Sequence, residues 1–532
     1  MIKRQAFTMA LLAGTALIAG PALAADNTAA QTQMQMQQLQ DQLRSMQQQL
    51  DALKAADAAQ KDALMKETAA REAAEKAERD ANLAAGGHNV IQSGQVIMIP
   101  PANPKVVESA THSFTLSSPD GAWTIQPTGR IHMDFGAYLS QSPEGTTGPG
   151  TATGGKLQGG VNARRVRLGV TGKANNDFTY QLILDGGGTN DGLPAGGSTP
   201  LVNTAQIGYT GIANTIIEAG YFAQYFTLDE ATSSNNILFM ERASPVTVGT
   251  GVMAGDPRFG AGFRTWQPNW WFGAYMVSAA PGVSHALLNR GLSSFQRFTY
   301  NPIQDGLSSV HIGVGVQEIF EVPTAAAAGF GSVTLSDRPE MRIDTTTFLS
   351  TGGLGTATNP VTGIQIYNVE TAAAFGSFFY QGEGFHYVVN RQGKTKAEFD
   401  GAYLETSYTF GGRHSYTANC GCYGGVVPVD PFNPLRGGMG AIELAARFSY
   451  VNLVDQYDAN ATAASQPNLV NGGQQTNLTL GVNWYWNSNM LWKLNYIRSN
   501  FDKKNPRTTA LVGATKVGID LDILAARFQV MF

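Results

Sequence analysis

The sequence predicts an all-β fold, about sixteen antiparallel strands closed into a transmembrane barrel, with an α-helical coiled coil ahead of it. Three observations predict it. Runs with one apolar and one mixed face recur from Thr124 to the last residue, and the connections between them alternate short with long. Past the leader, no stretch is apolar enough for long enough to be a transmembrane helix. A barrel escapes that last test because every second residue on its strands is polar.

Composition agrees with many strands and turns. The chain has 532 residues, 61 of them glycine, with 10% aromatic and only 14% charged side chains. It begins as an export signal: Lys3 and Arg4 precede an apolar run from Ala6 to Gly20, then Pro21 and an Ala22-Leu23-Ala24 exit. Small residues at both alanines suit a signal peptidase, so residues 1–24 read as a signal peptide.

Residues 31–85 lack proline and glycine, and Met36, Leu39, Leu43, Met46, Leu50 and Leu53 step by three and four, the seam of a coiled coil. The seam fades at Asp57 and Gln60. Self-association covers those leucines; a spacer helix lying on another surface is the alternative. Gly86 and Gly87 stop the helix, and residues 86–113, with Pro100, Pro101 and Pro104, read as a linker.

The barrel domain is assigned to residues 114–532. Its first long strand alternates Ile125, Ile131, Met133, Phe135, Ala137 and Leu139 against Gln126, Thr128, Arg130, His132 and Asp134. Val166, Leu168 and Val170 oppose Arg165 and Arg167. Later, Ile442, Leu444, Ala446 and Phe448 oppose Glu443 and Arg447, and Leu478, Leu480, Val482, Trp484 and Trp486 oppose Thr479, Gly481, Asn483 and Tyr485. In the last strand Leu524, Ala526, Phe528, Val530 and Phe532 oppose Ile523, Ala525, Arg527, Gln529 and Met531. A soluble sandwich can also end on such a strand. The even strand count and the turn pattern favour closure in lipid.

Short connections fall at Lys173 to Asp177, Gly211 to Asn214, Gln267 to Asn269 and Asn487 to Asn489. Long ones fall at 140–162, 186–202, 223–257, 319–363, 453–474 and 501–519. Short turns inside and long loops outside is the bacterial outer-membrane arrangement, which assigns the coiled coil to the periplasm. The segment Gly411 to Gly440 breaks the rule. It lies on the short-turn side and is expected to fold back toward that mouth. Trp266, Trp270, Trp271, Trp484, Trp486 and Trp492 lie near strand ends and are candidates for interface girdles.

Chemistry is sparse. Cys420 and Cys422, in Asn-Cys-Gly-Cys-Tyr, have no histidine at ligand spacing, which leaves an incidental pair or a local disulfide. The glycine-rich stretch 186–192 lacks the ending of a phosphate loop, no serine sits in a nucleophile elbow, and no carboxylate pair is placed for acid and base work. No catalytic residue, cofactor or metal is called for. After His88 there are 27 basic against 30 acidic residues, a balance that argues against a nucleic-acid partner. The remaining candidates are charged side chains of inward parity: Arg130, Arg165, Arg167, Arg264, Arg447, Arg527, Asp134, Glu218 and Glu443, facing a water-filled lumen with His132 and His311. Arg164 has outward parity, so it sits at the strand's mouth or turns inward.

Several stretches resemble the phosphate-selective porin family, the O and P type outer-membrane porins, over roughly Phe114 to Phe532. They are Gly129-Arg130-Ile131 with Asp134, Ala163-Arg164-Arg165-Val166-Arg167-Leu168-Gly169, Gly220-Tyr221-Phe222, Phe226 through Ser234, Met240-Glu241-Arg242, Gly440 through Phe448, and Leu480 through Tyr485. The resemblance implies a homotrimer of sixteen-stranded barrels in the outer membrane, passing small solutes and inorganic anions by diffusion. Loop 223–257 would fold inward to narrow each pore. It places Arg164 and Arg165 at the constriction, Arg130 nearby, and Asp134, Arg167 and Arg242 in the same pore-lining set.

Three departures bear on selectivity. Glu230 stands where phosphate-selective members carry a lysine, Thr179 at the position of a third-strand lysine, and Asn203 at that of a constriction aspartate. An anion in place of a cation repels phosphate, so the expectation is a porin for small hydrophilic solutes and ions with weakened phosphate selectivity. The alternative is an outer-membrane tether whose coiled coil contacts the cell wall.

Overall fold

The computed structural model describes residues 90–92, 95–97, 105–108, 114–142, 157–187, 201–252, 257–278, 287–289, 291–325, 329–458, 460–503 and 517–532, and Gln37 alone before them. The signal peptide 1–24 and, apart from Gln37, the coiled coil 31–85 lie outside the described residues. Two compact units divide the chain, Met1–Ile99 and Pro100–Phe532. In the first, Val90–Gln92 pairs antiparallel with Gln95–Ile97. In the second, Lys105–Glu108 pairs with Phe114–Ser117, so the stretch read as linker carries ladder pairing of its own.

Sixteen antiparallel strands of the second unit close on themselves. They are β1 (Thr124–Ser142), β2 (Gly160–Ala174), β3 (Phe178–Asp185), β4 (Leu201–Ile212), β5 (Thr215–Phe222), β6 (Arg258–Gln267), β7 (Trp270–Ser278) and β8 (Leu292–Gln304). The circuit continues with β9 (Ser308–Glu321), β10 (Val361–Phe375), β11 (Phe378–Arg391), β12 (Ala397–Phe410), β13 (Ala441–Asp455), β14 (Val470–Tyr485), β15 (Met490–Lys503) and β16 (Val517–Met531). β16 closes on β1, with Arg527 opposite Asp134 and Met531 opposite Arg130. The terminal residue extends that ladder: Phe532 N–H donates to Gly129 O at 3.0 Å and Gly129 N–H returns a bond to Phe532 O at 2.8 Å. Closure leaves no barrel edge unpaired, as hydrocarbon requires.

Alternation decides which face meets lipid. Leu524, Leu480, Leu444, Leu168 and Ile131 are exposed on the outer surface, while Arg527, Thr479, Glu443, Arg165 and His132 are buried inside. At one end the turns are tight; Asn175 (φ 51°) and Asn176 (φ 65°) make the β2–β3 turn, with the positive φ that a short hairpin demands. The opposite end carries 143–159, 186–200, 223–257, 279–291, 322–360, 456–469 and 504–516. The connection 392–396 at that end is short, against the general pattern. Two tryptophans also depart from the girdle expectation. Trp266 and Trp271 share the inward parity of Arg264, and Trp271 is wholly buried.

Candidate pore lining and constriction

Among the described residues, three connections send chain into the barrel. From the long-loop end comes 223–257, with a short helix α1 (Leu228–Ala231) and a second helix α2 (Ser244–Gly251). The segment 322–360 enters beside it: Glu340 accepts from Ser244 N–H at 3.0 Å and from Ser449 Oγ–H at 2.5 Å, and it pairs with Arg447. From the short-turn end comes 411–440. An apolar core of Phe226, Val246, Leu335 and Phe348 with the wall residues Phe295, Ile364, Tyr387 and Ile523 holds the first two in place. The expectation of an inward 223–257 holds for the described part of that loop. The expectation of a broadly water-filled lumen does not: the inward side chains of β7–β16, including Arg297, His311, Gln317, Thr479 and Asn483, are buried against inserted chain.

Inserted backbone brings carbonyls that lack ladder partners, and a buried carbonyl without a donor is costly. The wall cations supply the donors. Arg527 donates to Met240 O at 2.5 Å, Arg447 to Glu241 O at 2.9 Å, and Lys493 to Ile237 O and Phe239 O. At the other mouth Arg264 donates to Asn419 O at 2.7 Å, and Arg297 to Cys420 O at 3.0 Å and Gly421 O at 2.6 Å. His132 and His311 are accordingly not solvated. His132 Nε2 faces Asn235 Oδ1 at 3.1 Å, and His311 Nε2 faces Glu370 Oε1 at 2.8 Å.

Sequence-predicted residues converge where β1, β2 and β16 meet loop 223–257. The β1–β2 register shifts between His132 and Met133, whose partners are Arg165 and Ala163, so Arg164 is the extra residue of a bulge. The bulge turns Arg164 inward against its parity. Its Nε and Nη2 donate to Glu241 Oε1 and Oε2 at 2.7 and 2.9 Å. Arg527 binds Asp134 through two bonds of 2.6 and 2.7 Å and reaches Glu241 at 2.9 Å. Arg165 is buried with Nη1 3.4 Å from His132 Nδ1. Arg167 pairs with Asp185 at 2.7 Å, and Arg130 donates to Ser234 Oγ at 2.8 Å. Burial pushes the Glu241 carboxyl up, but the guanidiniums of Arg164 and Arg527 outweigh it and hold the group well below the usual carboxylate range.

The other named residues lie apart from that corner or inside the loop. Thr179 Oγ1 donates to Gly208 O at 3.4 Å on the β3–β4 wall, and Asn203 is buried beside Thr204. Arg242 Nε lies 3.1 Å from Glu230 Oε2, and its Nη1 lies 3.3 Å from Asp229 Oδ1. Glu230 therefore does not stand as a bare carboxylate opposing anions, because a cation a few residues along the same loop balances it. The inner wall of β1–β4 stays half-exposed at Gln126, Thr128, Arg130, Arg167, Thr171 and Gln181.

At the short-turn mouth Cys420 and Cys422 form a disulfide around Gly421, whose φ of +57° and close approach to Trp271 favour glycine there. His414 Nε2 lies 2.6 Å from Glu443 Oε1 and Nδ1 3.0 Å from Gly424 O. Both partners are acceptors, so the ring satisfies both only as imidazolium. Burial lowers the His414 pKa, and the Glu443 carboxylate more than reverses this, leaving it raised. Glu241, Lys493 and His414 were not among the site candidates. Glu241 was visible in the Met240-Glu241-Arg242 stretch, and Lys493 as an inward cation in β15; nothing local marked His414.

Comparison with known proteins adds a family. A model described as phosphate-selective porin O and P matches residues 125–532. No curated protein matches the chain. Among solved structures, outer-membrane expressed OmpT of Vibrio cholerae is 13% identical, with 77% of this chain and 98% of that one covered at a TM-score of 0.44. The outer membrane channel DcaP of Acinetobacter baumannii is 9% identical, with 77% and 98% covered and a TM-score of 0.42. An anion-selective porin from Comamonas acidovorans is 12% identical, with 77% and 100% covered and a TM-score of 0.41.

Proposed function

The chain belongs to the phosphate-selective porin O and P family, and from that premise we propose that it is an outer-membrane porin for small hydrophilic solutes and ions, with a mild preference for anions and a weakened one for phosphate. The short turns face the periplasm, the compartment to which the coiled coil 31–85 is assigned, and three copies assemble. The solute path follows the half-exposed wall of β1–β4, and loop 223–257 narrows it.

One observation carries this reading. Where β1, β2 and β16 meet the loop, five guanidiniums (Arg130, Arg164, Arg165, Arg167 and Arg527) stand against three carboxylates (Asp134, Asp185 and Glu241), with the pairs made at 2.6–2.9 Å. The local excess of positive charge favours anions. The pairing means that an entering phosphate competes with carboxylates already held, and the neutral Thr179 adds no cation.

Conductance in planar bilayers, with reversal potentials in asymmetric salt, tests it. Expected are steady channels, a modest anion preference, and no block by micromolar phosphate. Strong anion selectivity with micromolar block would overturn the weakened phosphate preference. The crowded lumen favours a second reading, a tether whose pore is incidental. If the full chain does not conduct, and removal of residues 31–85 detaches the envelope, that reading replaces the first.

A further inference from the structure

The segment 411–440 has two halves that face different media. Residues 414–423 are inside the barrel, with His414, Cys420, Cys422 and Tyr423 buried. Residues 427–439 turn outward over the rim. They leave Val427 at 63%, Val429 at 84%, Leu435 at 96% and Met439 at 64% exposure, which no aqueous loop gains from. Asn433 and Gly438 bridge the base of this outer piece through bonds of 2.9 and 3.0 Å, holding Leu435 and Arg436 at its tip.

The outer piece is fastened to the lipid-facing surface. The Phe432 ring lies 5.0 Å from Trp484 and 5.3 Å from Trp486, both of outward parity on and just past β14. Phe432 N–H donates to Trp486 O at 2.7 Å, and Trp484 Nε1–H donates to Met439 O at 2.9 Å. The cluster continues from Trp486 to Phe528 at 6.4 Å, and from there to Trp492 at 4.8 Å. Aromatic side chains of this kind collect at the level of lipid headgroups.

We propose that residues 427–439 form an interfacial membrane flap, with Val429, Leu435 and Met439 seated in the leaflet on the short-turn side at the boundary of headgroups and acyl chains. Lipid is the favoured occupant because the exposed residues continue the outer apolar face, and the aromatic belt marks the depth at which that face ends. Exposed Arg436, next to Leu435, is placed to reach a headgroup phosphate while its stem follows the apolar surface. The flap is covalently continuous with the lumen insert, so lipid on one side and the wall arginines on the other hold the same loop. This inference rests on the barrel's spanning a bilayer.

The test uses the full chain in phospholipid vesicles with an environment-sensitive thiol label at Leu435→Cys. A lipid-facing site, Leu480→Cys, and an aqueous turn site, Gly306→Cys, where added atoms meet open space, serve as controls. Mass analysis confirms that the native disulfide is intact. Expected at Leu435 are blue-shifted emission, quenching by nitroxide lipids labelled near the headgroup, and loss of iodide quenching. Behaviour like that at Gly306 overturns the flap. Self-quenching between labels in one oligomer also overturns it, because a second copy is then the occupant. If Leu480 itself is quenched by iodide, the membrane barrel fails rather than the flap.

Discussion

Arg164 and Glu241 join β2 to loop 223–257 through a pair of hydrogen bonds of 2.7 and 2.9 Å, although Arg164 occupies a position whose alternation points into lipid. The bulge that turns it inward is thus part of how the loop is held. Glu241 also receives Arg527, so one carboxylate serves two wall strands.

Replacing Glu241 by glutamine is expected to loosen the loop more than replacing Arg164. Removing the shared carboxylate takes the carboxylate partner from Arg164 and one of two from Arg527, which keeps Asp134, a loss of about 3–5 kcal/mol by analogy with other broken buried pairs. Single-channel recordings of E241Q should show larger or noisier conductance and a reversal potential moved toward anions. Unchanged records would mean that the apolar core alone holds the loop.

Acid should reach the same contact late. The folded pKa of Glu241 is depressed, so its stabilisation is present above the unfolded value of about 4.3 and is lost only as pH falls through the depressed native value. Conductance should therefore stay constant from neutral pH to about 4 and become unstable below it. A transition centred near 6 would assign control to another group.

The lumen insert at the short-turn mouth should respond to base instead. His414 has a raised folded pKa, so its contribution is full below about 6.5 and fades as pH rises through the native value. Glu443 and Lys493 are the charged groups that act on it, and Phe379 stacks on its ring at 4.4 Å. Amide exchange of residues 413–424, corrected for intrinsic rates, should accelerate on going from neutral to alkaline pH. In His414→Gln that pH dependence should vanish.

Selectivity should separate from loop docking. Arg130→Ala and Arg167→Ala alter the half-exposed wall, so the anion preference should shrink, read as a reversal potential shifted toward zero or to cations. Arg264→Ala removes one of the two donors to Asn419 O, leaving Trp271 Nε1, and should leave selectivity near the parent value while raising exchange in 416–423. Equal shifts in all three variants would place the solute path across the whole lumen rather than along β1–β4.

Strand by strand, the outer surface was legible in advance. Leu444, Leu480 and Leu524 meet lipid as their alternation requires, and Phe532 completes the ladder with β1. The described part of loop 223–257 lies inside, as the resemblance implies, and 411–440 lies at the short-turn mouth, as strand parity implies. Less legible was what each lumen charge touches. Glu230 suggested repulsion of phosphate until its pairing with Arg242 at 3.1 Å, and His311 suggested a solvated ring until Glu370 met it at 2.8 Å. The entry of 322–360, with Glu340 bound to Arg447 and Ser449, left no local trace.

The division has a physical cause. A strand's two faces follow from a period of two residues, which is local, and lipid rewards one face continuously, so alternation alone is enough to specify the barrel, its closure and its outer stripe. The lumen is set by segments with no period. Their carbonyls and carboxylates find wall arginines far away in the chain, as Glu241 finds Arg527 and Asn419 finds Arg264. Those partners are set by the folded chain, because the strength of a buried charge depends on what closes around it.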